Sequence, residues 1–350
     1  MKTYGFGIVG CGVIADFHAR SIQELDQARL VCGAEPVEEK RKAFAEKYGC
    51  DVVADYEEMM QRDDVDVVCV CTPSGVHRDP AVAAAQAGKH VICEKPVEVT
   101  LERVDDIIKA CDDNGVRLAA IFPLRFKEMN RRLKQAIEAG RFGQLTLGDC
   151  YNKWWRSQEY YDSGGWRGTW KLDGGGACMN QAIHAIDLLQ WFMGPVDTVY
   201  AFAECLAHER IEVEDTAVAV LRYKSGAMGV IEATTSVQPG EDRRIEIHGD
   251  GGTVVAAQEN IEKWTFAAPQ PEDEEIMAQF GPGSASQLDT ASNPTAFSHE
   301  THREQIQDLI RALDGGGAPA VDGREGRKSV EIIMAIYRSA QTGQPVKLPL

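Results

Sequence analysis

The chain has 350 residues, 44% of them hydrophobic, and 54 acidic against 37 basic side chains leave a formal net charge of −17. Those figures exclude a disulfide miniprotein, a collagen and a low-complexity tail, and they predict two domains, because single cores stop growing near ~250–300 residues. The acidic surplus argues against a nucleic-acid partner, which asks for concentrated Lys and Arg, and no run of ~18 apolar residues suggests a membrane span. Met1-Lys2-Thr3 passes into a strand-like run without a secretory pattern. Ten cysteines are scattered without a C-x-x-C pair, so reduced thiols in a cytoplasmic protein are expected, with neither disulfides nor a metal site.

Residues 6–9 form an apolar run that ends in glycine and reads as a strand, followed by a helix over 15–25 and a strand over 30–34. Pro36 opens a helical stretch, 37–48, that Gly49 ends. Residues 65–70 are nearly all apolar and are broken by Thr72-Pro73. Asp79-Pro80 reads as the cap and first turn of an Ala-rich helix that stops at Gly88. A strand over 90–93, a helix from a Thr100 cap to about 114 and a strand over 118–122 complete the series. Strands separated by helices predict right-handed crossovers and a doubly wound parallel sheet over 1–122, with its ligand at the carboxyl ends of the strands.

From residue 123 the rhythm changes. A helix is expected over 126–139, then strands over 145–151, 198–205, 216–223, 227–233, 244–248 and 253–257, with His248-Gly249-Asp250-Gly251-Gly252 as a hairpin signal. Strands without intervening helices predict an open, mainly antiparallel sheet in a C-terminal α+β domain, 123–350. Residues 268–294, rich in Pro, Gly, Ser and acids, read as a long loop, and helices are expected over 298–313 and 324–340.

Two stretches carry chemistry. Gly10-Cys11-Gly12-Val13-Ile14-Ala15 fits G-x-G-x-x-A between the first strand and the first helix, and Glu35 ends the second strand at about the ~20-residue distance of the dinucleotide fingerprint. Glycines permit the tight turn and the approach of a pyrophosphate to Gly10, Gly12, Val13 and Ile14; a carboxylate at Glu35 favours NAD over NADP, although Lys40 and Arg41 could greet a phosphate. Farther on, three glycines (174–176) precede Asn180, His184 and Asp187, spaced i, i+4 and i+7 on one expected helix face. The glycines would let the chain pass close to a ligand. Four of the six tryptophans (Trp154, Trp155, Trp166, Trp170) lie just before that helix; aromatic faces stack on sugars, though they pack as readily on one another.

With the fingerprint, Thr72-Pro73, Glu94-Lys95-Pro96 and His184-x-x-Asp187 in order, the chain resembles the glucose–fructose oxidoreductase / inositol dehydrogenase / rhizopine catabolism (Gfo/Idh/MocA) oxidoreductases along nearly its whole length. The resemblance implies that Lys95 hydrogen-bonds the reacting oxygen, often beside a cis peptide at Pro96, and that His184 is the general base, with an imidazole that ordinarily titrates near ~6.5. It implies cofactor contacts from Thr72, Pro73, Ser74 (where asparagine is usual), His77, Glu94, Lys95, Trp166 and Arg167, and substrate contacts from Lys95, Arg125, Trp154, Trp166, Asn180 and His184. Many relatives have aspartate where Asn180 stands, and Asp187 reads as a structural partner. The implied activity is hydride transfer between NAD and a secondary alcohol of a sugar, sugar derivative or cyclitol, in a homodimer or homotetramer. A redox-neutral oxidation and elimination at C3 of a glycoside, or a non-catalytic nucleotide sensor, are the alternatives.

Overall fold

Strand β1 (Tyr4–Val9) is buried along its whole length, as its unbroken apolar run requires of a central parallel strand. The computed structural model describes residues 2–284 and 298–350. After β1 come α1 (Val13–Gln23), β2 (Ala28–Ala34), α2 (Glu38–Tyr48), β3 (Asp51–Val53), α3 (Tyr56–Met60), β4 (Val67–Val70), α4 (Arg78–Gln86), β5 (His90–Cys93), α5 (Leu101–Asp113) and β6 (Leu118–Ala120). All six strands pair in parallel in the order β3-β2-β1-β4-β5-β6, the doubly wound order whose direction of winding reverses at β1/β4. The alternation over 1–122 is therefore as expected, but β3 and α3 were not: three strand residues and five helical ones are too short to show a period. Helix α4 begins at Arg78, one residue before the expected Asp79 cap, and has no side-chain cap. Thr100 does cap α5, accepting from the Arg103 N–H.

The second stretch runs α6 (Glu128–Glu138), β7 (Leu145–Lys153), α7 (Gln158–Asp162), a π-helical turn (Ala177–Ala182), α8 (Ile183–Met193), β8 (Val196–Glu204), β9 (Thr216–Tyr223), β10 (Met228–Thr234), β11 (Arg244–Gly249), β12 (Gly252–Ala257), β13 (Asn260–Phe266), α9 (Pro271–Phe280), α10 (Glu300–Gly315), α11 (Gly323–Thr342) and β14 (Val346–Lys347). Its eight-stranded sheet has the order β13-β12-β11-β7-β10-β9-β8-β14, and every pair is antiparallel except β7 with β10. Strand β9 alternates: Ala217, Ala219, Leu221 and Tyr223 are buried, while Val218 and Val220 stand exposed. The expected loop over 268–294 is corrected in part. Pro271 at the first helical position and an Asp273 capping box start α9 there, and the rest of the expected loop lies outside the described residues beyond 284.

Two compact units result: Met1–Pro123 with Ser298–Arg327, and Leu124–Phe297 with Lys328–Leu350. The boundary expected at residue 122 is thus one of several, because α10 returns to the first unit. Its Ile306, Leu309 and Ile310 join Ala15, Ala19 and Ile22 of α1 in one core. The Gln305 amide extends the β6 edge, donating to the Ala120 carbonyl at 2.7 Å and accepting from the Phe122 N–H at 2.8 Å.

Candidate active site

At the end of β1 the chain turns through Gly10 with φ +88°, and a Cβ there would lie 2.9 Å from the Cys71 carbonyl oxygen, so this turn needs glycine. Gly12 is the N-cap of α1 and offers no side-chain cap, a Cβ added to it would meet nothing within 4 Å, and Val13 is 71% exposed. The first N–H groups of α1 thus lack a side-chain acceptor beside open space, which fits the pyrophosphate of a dinucleotide. Ile14 packs half-buried on the core. The Glu35 carboxylate accepts from the Cys11 N–H at 3.1 Å and the Val37 N–H at 3.0 Å, which sets it against the fingerprint turn, where ribose hydroxyls would sit. Arg41 turns inward to the Glu35 and Pro36 carbonyls instead of toward a phosphate.

Beside this turn, Thr72 and Pro73 lead into a short 3₁₀ turn at Ser74–Val76, with Ser74 buried and the Thr72 hydroxyl donating to the Val76 carbonyl. His77 is corrected from a cofactor contact. It is fully buried, and its two ring nitrogens face the Pro96 and Thr72 carbonyls, each at 2.9 Å, so it ties two loops together. Glu94 is corrected likewise: its carboxylate points into the unit, 2.8 Å from His18 Nε2 and 3.5 Å from His302 Nε2, and its other oxygen accepts from the Lys95 N–H. Burial opposes its charge, but the two imidazoles outweigh burial and hold the carboxyl well below the usual range. Burial in turn lowers the His18 imidazole against the pull of Glu94. A buried carboxylate facing two imidazoles therefore fastens the end of β5 to α1 and α10, directly before the half-buried Lys95. The Lys95–Pro96 peptide is cis. His18 and His302 were not foreseen; the one hint is a histidine on the apolar face of α1.

In the second unit the helix bearing Asn180 and His184 starts with a π turn rather than the α-helical start assumed for the i, i+4, i+7 face. Glu214 ties down that start. Its buried carboxylate accepts from the Gly176 N–H (2.9 Å), the Cys178 N–H (2.8 Å) and the Tyr337 hydroxyl (2.9 Å), and burial outweighs these bonds to push its carboxyl up to about 6. The glycines before the helix answer to this packing: a Cβ on Gly175 would lie 2.0 Å from the Tyr337 hydroxyl and one on Gly176 1.8 Å from the Glu214 carbonyl. At Gly175 and Gly176 it is the chain itself that comes close.

Asn180 is held at both ends of its amide, donating to the buried Asp173 carboxylate and accepting from Gln181 Nε2 at 2.8 Å. Asp173 also accepts from the Gly168 N–H at 2.9 Å. A carboxylate thus stands behind residue 180 after all, supplied from seven positions earlier; Asp173 has no sequence signal beyond being an acid beside glycines, and Glu214 has none. His184 is half-buried on α8. Asp187 is buried and paired bidentately with Arg125 at 2.7 and 2.8 Å, with Ser329 donating to it as well. Arg125, expected to meet substrate, therefore has its guanidinium turned to Asp187, and the side chain is 4% exposed. Trp154 is also corrected: it is buried beneath the Arg156 guanidinium (5.0 Å), so its ring presents no open face. Trp166 stays half-buried, with the Arg167 guanidinium 5.1 Å from its ring.

The sequence and the fold have counterparts among known proteins. Residues 4–122 match the family described as "Oxidoreductase family, NAD-binding Rossmann fold", and residues 130–255 match the GFO/IDH/MocA C-terminal domain. The chain is 30% identical to myo-inositol 2-dehydrogenase of Thermotoga maritima over 98% of both chains. Among solved structures it is similar to the WlbA dehydrogenase of Bordetella pertussis in complex with NADH and UDP-GlcNAcA, with a TM-score of 0.89 and 38% identity across 100% of both chains. The Chromobacterium violaceum WlbA dehydrogenase, with the same two ligands, gives a TM-score of 0.90 at 35% identity over 100% of this chain and 97% of that one. With its fingerprint turn, doubly wound sheet and mixed second sheet matched end to end, the chain belongs to the Gfo/Idh/MocA family of oxidoreductases, and its first unit is an NAD-binding Rossmann fold.

Proposed function

We propose that the protein is an NAD-dependent dehydrogenase that moves hydride between nicotinamide and a secondary alcohol on the ring of a sugar, sugar derivative or cyclitol. The observation that carries this reading is a lysine directly after the carboxyl end of β5, on a segment fastened by the His18–Glu94–His302 cluster. Ligands of doubly wound sheets bind at that end of the strands. Gly10, Gly12, Val13 and Glu35 would hold the dinucleotide, with His77 and Glu94 bracing the loops behind it. Bound NAD supplies the hydride acceptor.

The Lys95 ammonium stabilises the oxygen as it gains negative charge. His184 takes the hydroxyl proton, and Asn180, its amide fixed by Asp173 and Gln181, orients a neighbouring hydroxyl. Myo-inositol and UDP-GlcNAcA, named with relatives, both carry secondary hydroxyls on a six-membered ring, which supports this substrate class. Screening NAD reduction against sugars, uronates, glycosides and inositols tests it. Turnover is expected with at least one ring alcohol. No reduction by any of them, together with NAD that co-purifies without exchanging, would turn the reading to redox-neutral chemistry.

We also propose a homo-oligomer joined through the second sheet, where Phe202, Val218, Val220 and Met228 stand exposed on paired strands. Light scattering that finds a monomer would overturn this. Among the described residues no helix is long and apolar enough to cross a membrane, and all ten cysteines are free thiols, which supports a reducing compartment such as the cytoplasm.

A further inference from the structure

Accepting the dehydrogenase reading, we propose that the guanidinium of Arg167 anchors a carboxylate on the substrate ring, so that the substrate is a sugar acid and not a neutral sugar. Arg167 is seated against two aromatic rings, 4.5 Å from the centre of Tyr160 and 5.1 Å from that of Trp166. Its Nη1 donates to the Ser163 hydroxyl at 2.8 Å, while its Nε is shut off from solvent and has no hydrogen-bond partner among the described residues. Among those residues it also forms no ion pair. Asp162, the nearest acid in the chain, is taken by Arg210 at 2.8 Å. In a chain with 54 acidic and 37 basic side chains, a half-buried arginine set against aromatic faces, with no carboxylate partner among the described residues, is placed to receive an acid from outside. A guanidinium has five donors in a planar fork, and a carboxylate is the partner that matches it with two parallel bonds.

The position points to substrate. The residue after Arg167 donates its N–H to Asp173, and the same carboxylate accepts from Asn180. The Tyr160 hydroxyl accepts from Gln181 Nε2, which also donates to Asn180. Arg167 is thus tied along two routes, one main-chain and one aromatic, to the amide next to the helix that carries His184. Arg156 adds a second guanidinium 5.7 Å from the Tyr160 ring, with its Nε donating to Gln181. Two guanidinium groups thus lie close to the Tyr160 ring.

The test compares matched pairs that differ in one substituent: D-glucuronate against D-glucose, and UDP-GlcNAcA against UDP-GlcNAc, with glucose 6-phosphate as the phosphate arm. Wild-type protein should favour the acid of at least one pair in kcat/KM, and Arg167→Leu should cut that preference ~10–100-fold, chiefly through KM, with Arg167→Lys recovering part of it. Calorimetry with the same pairs in the presence of NAD reads the anchor even where no turnover occurs, so a failed dehydrogenase reading and a failed anchor are told apart. Equal binding of acid and neutral partner in both pairs overturns the proposal. So does an Arg167→Leu variant that keeps the preference while its KM for NAD rises, which would assign the guanidinium to the cofactor, and so does preference for the phosphate over both acids.

Discussion

The two units prepare for chemistry in different ways. In the first, the groups that would meet a dinucleotide are the first main-chain N–H groups of α1, set up by the six-residue run Gly10 to Ala15, with one carboxylate from the end of the next strand. In the second, Asn180 and His184 stand on a helix whose start depends on acids at 173 and 214 and on a hydroxyl at 337. A site made of backbone needs a local pattern and a turn. A site made of side-chain networks needs distant chain brought together, and its polar members must satisfy one another when buried. Lys95 lies between these extremes: a local motif names it, while two histidines from far along the chain fasten the segment behind it.

The largest effects should come from the two groups proposed to react. Lys95→Ala and His184→Ala should each lower kcat by ~10²–10⁴ while NAD affinity, measured by nucleotide fluorescence, stays near wild type. Near-normal turnover in both variants would remove the mechanism and with it the functional half of the comparison.

Next in size is the brace beneath the second helix. Asp187→Ala removes the carboxylate that pairs bidentately with the buried Arg125 guanidinium and should cost ~3–5 kcal/mol in urea unfolding, the loss that follows when one partner of a buried ion pair is taken away. A loss below 1 kcal/mol would mean that the network is less interdependent than its geometry implies. In the first unit, Glu35→Ala removes charge-assisted hydrogen bonding worth ~1.5–3 kcal/mol and should lower the NAD-to-NADP ratio of kcat/KM by ~10-fold or more. An unchanged ratio would show that the fingerprint turn chooses its nucleotide by other means.

The smallest effect is a pH dependence. The Glu214 carboxyl is raised from 4.5 to about 6, so the folded protein holds this proton more tightly than the unfolded chain does. Stability from this group therefore falls as pH rises through the window from 4.5 to 6, by about 2 kcal/mol in total. Urea midpoints across that window should show the decline in wild type relative to Glu214→Gln; a difference curve that is flat or rises would contradict the burial of that carboxylate.

Much of the first unit was legible because parallel strands buried on both faces leave near-continuous apolar runs, as at residues 65–70 and 90–93, and because a nucleotide turn must be written with glycines. Strand β9 was legible to the residue, since period-two burial and its turns coincide. The short β3 and α3 were not, having too few residues for any period, and α9 was hidden by a composition that suits loops as well as capped helices. Among candidate site residues the motifs point to Lys95, His184 and Glu35, but they assigned His77, Glu94, Arg125 and Trp154 outward roles. These four are buried, and the side chains of His77, Glu94 and Arg125 have hydrogen-bond or ion-pair partners inside the protein.

By itself, the order of the residues determined the alternation of strand and helix and the nucleotide turn with its acid, and it singled out the lysine and histidine proposed for charge and proton transfer, because each of these depends on neighbours within a turn or a strand. Only the tertiary structure decided which polar side chains face inward. That outcome depends on what chain from elsewhere lies opposite: His302 behind Glu94, Arg125 against Asp187, Glu214 and Tyr337 against the glycines, and for Arg167 no carboxylate among the described residues. Burial charges every polar group for the water it loses, and only the packed chain shows which groups have found a partner in exchange.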